Sequence, residues 1–80
     1  MGKQRVKFSF PEDMVKEPVI YKLGHHFKIV TSIRRADVRE DTGWVILELD
    51  GEDSEIEQGL AWVGTTGVRV DLVSGDIVDG

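Results

Sequence analysis

Residues 27–51 read FKIVTSIRRADVREDTGWVILELDG, and the fold turns on how this stretch divides. Ile29, Ile33, Ala36 and Val38 mark one strand, and Asp41, Thr42 and Gly43 supply turn chemistry. Val45, Leu47 and Leu49 then alternate with Trp44, Ile46 and Glu48 in a second strand. The stretch is a central hairpin with helix-like sequence at both ends. In its first strand the apolar parity switches between Ile33 and Ala36, across Arg34 and Arg35, which predicts a bulge or bend. In its second strand Val45, Leu47 and Leu49 belong to a core, while Trp44 and Ile46 set an apolar pair on the opposite face.

Outward from the hairpin, toward the N-terminus, Val6, Phe8 and Phe10 alternate with Lys7 and Ser9 as a strand with one buried face. Pro11, Glu12 and Asp13 end the alternation. Val15, Val19, Ile20, Leu23 and Phe27 follow at helical spacing. Proline is tolerated at the start of a helix and not inside it, so the main helix is read from Pro18 to about His26, after an irregular or single-turn lead-in over Glu12 to Glu17. Past the hairpin, Glu52, Asp53, Ser54 and Glu55 carry the charge a helix N-terminus prefers, and Ser54 with Glu57 fits a capping box. Ile56, Leu60 and Val63 form the inner stripe of this second helix, and Gly67 is its left-handed stop. Val68, Val70 and Leu72 alternate with Arg69 and Asp71 as a last strand. Residues 74–80 are read as a tail, with Ser74 and Gly75 available to turn a short extra strand at Asp76 to Val78.

The order strand, helix, strand, strand, helix, strand is the split βαβ, or ferredoxin-like, α+β arrangement. Right-handed crossovers place both helices on one face of a four-stranded antiparallel sheet, with the first and last strands adjacent and the second strand at an edge. The other face is left uncovered and carries Lys7, Ser9, Trp44, Ile46, Glu48, Arg69 and Asp71. That face and the exposed edge strand are where a partner or ligand would be met.

Eighty residues make one domain, with a core spanning about 4–73, and a chain of this size buries only about 60 to 65% of its unfolded surface. Ten Lys and Arg against fifteen Asp and Glu give a net charge of −5, which disfavours nucleic acid. The absence of cysteine removes disulfides, thiolate metal sites, iron–sulfur ligation and thiol nucleophiles. No apolar run approaches the ~20 residues of a membrane span, and MGKQRVKFSF lacks the apolar centre of a signal peptide, so a cytoplasmic protein without membrane insertion is expected. No nucleophile–base frame or phosphate loop is visible, and neither enzymatic activity nor a cofactor is expected.

Several residues invite a sharper reading. His25 and His26 are adjacent, so on a helix they point about 100° apart, and no carboxylate motif completes a metal set; a favourable place near a helix C-terminus accounts for them better. Arg34, Arg35 and Arg39 interleave with Asp37, Glu40 and Asp41. This is the pattern of a solvated edge that resists strand addition, and equally of a guanidinium set to grip a ligand carboxylate. Trp62 fits either the margin of a core or a contact surface. RNA-recognition modules share the fold but stack bases on outward aromatics of the two central strands, where this chain offers only Trp44.

FSFPEDMVKEPVIYKLGHHFKI, then SIRRADV, then TGWVILELDGEDSEIEQGLAWV, then GVRVDLV resembles the NIL domain, the small module at the C-terminus of the ATPase subunit of methionine ABC importers. The resemblance rests on order and spacing. A Pro-started helix at Pro18, Ser32-Ile33 and Ala36 in the second strand, Gly43 in the turn, Gly51 closing the third strand and Gly67-Val68 opening the last all match. Two positions depart from the pattern: Ser32 stands where importer domains tend to carry Asn, and Arg34 where an apolar residue is usual. The resemblance implies a stand-alone regulatory, ligand-binding module, dimeric as in the importers, sensing methionine or a related amino acid. Ser32, Ile33, Arg34, Ala36 and Asp37 are the expected ligand-binding residues, and Trp44 and Ile46 the expected interface. The competing expectation is a ligand-free adaptor that docks on a separate transporter or a sulfur-metabolism or iron–sulfur enzyme.

Overall fold

Period-two alternation in the first ten residues produces a strand, β1 (Gly2–Phe10), with Val6, Phe8 and Phe10 buried. The computed structural model describes residues 2–73. After a single turn of 3-10 helix at Glu12–Met14 come α1 (Val19–His26), β2 (Ile29–Val38), β3 (Gly43–Gly51), α2 (Asp53–Thr65) and β4 (Arg69–Val73). The strands form one antiparallel sheet in the order β2-β3-β1-β4. This is the ferredoxin-like α+β arrangement, with β2 at one edge of the described sheet and β4 at the other. The segment read as a tail and short extra strand lies outside the described residues.

Pro18 flanks the first residue of α1, where its fixed φ and missing N–H cost nothing. Val19 and Leu23 of α1, with Ile56 and Val63 of α2, pack on Val6, Phe8, Phe10, Val45, Leu47 and Leu49, so both helices cover the same side of the sheet. Phe8 and Phe10 meet edge to face at 6.4 Å. The backbone N–H of Lys28 donates to Glu55 Oε1 at 2.9 Å, tying the first turn of α2 to the junction between α1 and β2. Gly67 adopts φ +99°, the left-handed conformation that lets the chain leave α2 and enter β4.

The capping box does not form. β3 stays paired through Gly51, α2 starts at Asp53 with Glu52 flanking it, and Ser54 falls inside the first turn with no side-chain cap on the helix. Asp53 and Glu55 still place negative charge where the helix dipole favours it. The bulge does form: Ile33 lies opposite Leu47 and Arg35 opposite Ile46, which leaves Arg34 as the extra residue of β2.

Candidate functional site

As an edge strand, β2 presents one row of backbone N–H and C=O groups without a partner among the described strands. Ten residues long, it is exposed over nearly all of its length beyond Ile29. Residues directly opposite in a sheet share a face, so the register with β3 sorts its side chains. Ile29, Thr31, Ile33, Ala36 and Val38 lie on the helix side, opposite Gly51, Leu49, Leu47, Val45 and Gly43. Val30, Ser32, Arg35 and Asp37 lie on the other side, which is uncovered among the described residues. The five expected ligand-binding residues are therefore contiguous along the strand but divided between its faces: Ser32 and Asp37 on one, Ile33 and Ala36 on the other, Arg34 at the bulge. Three apolar side chains of β2 stand in solvent, Val30 at 68%, Ile33 at 61% and Val38 at 59% exposure.

The uncovered face is less apolar than Trp44 and Ile46 imply. Ile46 is only 8% exposed. It is flanked in register by Lys7 on β1 and Arg35 on β2, and both cations reach over the Trp44 ring, with Lys7 Nζ at 5.2 Å and Arg35 Cζ at 5.9 Å from its centroid. Long cationic side chains cover apolar surface with their stems while the charged ends stay in water. Around them run ion pairs at Arg5–Glu48 (3.3 Å), Arg69–Asp71 (3.2 Å) and Arg39–Asp37 (3.2 Å). The hydrogen bond from Arg39 to Asp37, and then their charge attraction, push the guanidinium pKa above its ordinary value, so Arg39 is a fixed cation.

The two histidines are engaged with rings. His25 stacks on Tyr21 at 5.5 Å, and His26 meets Trp62 at 6.0 Å, where Trp62 also contacts Phe27 and packs against the core margin. Among the described residues no group of three or more His, Cys, Asp and Glu is arranged to hold a metal ion, and no helix is long and apolar enough to cross a membrane.

The family model for the NIL domain matches residues 4–72, nearly the whole chain. The chain belongs to the NIL domain family. Among solved structures, the NIL chain is similar in fold to the C-terminal domain of an ABC transporter ATP-binding protein from Enterococcus faecalis. That match has a TM-score of 0.78 and 17% identity, and it covers 91% of this chain and 86% of the other. Among curated proteins, none matches.

The NIL domain also carries a feature that the sequence reading missed. Where the start of α1 meets the end of β2, a cavity of about 160 Å³ has a lining that includes Phe10, Val15, Glu17, Val19, Val38 and Val45. Its walls come from four separate segments, so no local motif announces it. The available signal was the apolar run from Pro18 to Tyr21, while its meeting with Val38 depends on the fold.

Proposed function

We propose that this NIL domain is a regulatory module that works as a homodimer through β2 and senses a small amino acid, methionine or a relative of it, held where the paired edges meet. The observation that carries the reading is the edge itself. A ten-residue strand with an unpartnered backbone row and exposed Val30, Ile33 and Val38 is a surface that edge-to-edge pairing would cover. The apolar cavity beside Val38 supports a ligand with an aliphatic or thioether side chain. The cations laid over Trp44 and the burial of Ile46 make the uncovered face the weaker candidate for association.

The test is a thermal-unfolding screen against the amino acids, homocysteine and S-adenosylmethionine. One ligand at 100 times its dissociation constant should add about 2.7 kcal/mol, roughly 10 °C or more in Tm for a domain of this size. Unchanged unfolding with every ligand would contradict sensing and leave the adaptor role, docking on a separate protein.

A further inference from the structure

Arg34 and Arg35 differ from the other arginines. Arg5, Arg39 and Arg69 each hold a carboxylate, whereas neither Arg34 nor Arg35 has one within ion-pair distance among the described residues. In a chain of net charge −5, two adjacent exposed guanidinium groups without a carboxylate stand at the middle of the exposed edge, on a bulge.

The bulge also restricts how two copies of β2 can pair. Before it, odd-numbered residues face the helices; after it, even-numbered residues do. A two-fold antiparallel pairing keeps both sheet faces continuous only if a residue before the bulge lies opposite one after it with the same facing. Paired residue numbers must then sum to an odd value, so the axis falls between two residues and not through one. Placed between Arg34 and Arg35, it sets Ile33 opposite Ala36 of the second copy, Thr31 opposite Val38, and Ser32 opposite Asp37, every pair matched in face. It also brings the backbones of Arg34 and Arg35 of both copies together at the axis, where Arg35 reaches the shared site by swinging its guanidinium off the Trp44 ring, 5.9 Å away in the single chain. Asp37 is already held by Arg39 of its own chain, which leaves the four guanidinium groups without a counter-charge.

We propose that these four guanidinium groups form an oxyanion site shared by two copies, so that a carboxylate or phosphate group at the axis is what closes the dimer. The inference rests on the β2 dimer proposed above and adds its control: without an anion the arginines repel and the chain stays largely monomeric, and with one the bidentate geometry of guanidinium turns repulsion into a bridge.

Equilibrium sedimentation of the whole chain, at constant ionic strength held with chloride, tests it with succinate and inorganic phosphate as separate probes. Either probe should raise the association constant of the wild type at least tenfold, and the stronger of the two identifies the ligand group as carboxylate or phosphate. The double variant Arg34→Gln/Arg35→Gln should dimerise without either probe and ignore both. A wild type that neither probe shifts overturns the anion site. In that case the double variant reads the dimer separately: if it or the wild type dimerises, the β2 reading survives, and if both stay monomeric, that reading falls too. Equal enhancement of wild type and variant by an anion also overturns the site, since the effect would then not pass through these arginines.

Discussion

At the scale of single residues, the two glycines of α2 show how packing decides against propensity. A Cβ on Gly59 would come within 2.7 Å of Ile29 Cδ1 and 2.8 Å of Leu23 Cδ1, whereas one on Gly64 would meet nothing within 4 Å. Alanine is better than glycine inside a helix by about 0.5 to 1 kcal/mol, and overpacking a tight core costs about 1 to 3 kcal/mol. Gly64→Ala should therefore stabilise the domain by roughly 0.5 kcal/mol, and Gly59→Ala should destabilise it by about 1 kcal/mol; urea unfolding of both variants measures the pair. Helix propensity alone counts Gly59 as a weak point of α2. Its use as the place where α2 approaches α1 and β2 depends on residues about thirty positions away and was not legible locally. The capping box failed for a related reason: Glu52, Asp53, Ser54 and Glu55 all suit a helix start, and the end of β3 at Gly51 decides among them.

At the scale of elements, β2 carries the functional argument. Its bulge was readable because a parity switch across Arg34 and Arg35 has few other causes, and its edge position followed from element order. The candidate site was only half legible. Ser32, Ile33, Arg34, Ala36 and Asp37 do share one exposed strand, yet the same alternation that identified the strand divides them between two faces. The apolar pair at Trp44 and Ile46 was legible as a pattern, while its cover by Lys7 and Arg35 depends on neighbouring strands in register. A charge on the outer part of β2 gives a clean test. Val38→Lys replaces a 59% exposed side chain, so it should change stability by no more than about 0.5 kcal/mol. It should nevertheless weaken self-association at least tenfold by sedimentation with the supporting anion present. Trp44→Ala should leave association unchanged.

At the scale of the whole molecule, a four-stranded sheet with helices on one side leaves two edges of unequal character. Among the described residues β4 is five residues long and β2 is ten, so there only β2 offers a long row of backbone groups for another strand. Joining two copies there would produce one continuous eight-stranded sheet with all four helices on the same side, and would place the cavity beside Val38 next to the junction. The most direct test of this account is amide hydrogen exchange along β2 as a function of protein concentration, with the anion that supports association present. Amides on the outer row of β2 should become more protected as concentration rises, while the outer amides of β4 stay unchanged. Exchange of β2 amides at a rate independent of concentration, in a sample that sediments as a dimer, would show that the copies meet elsewhere and would contradict the account.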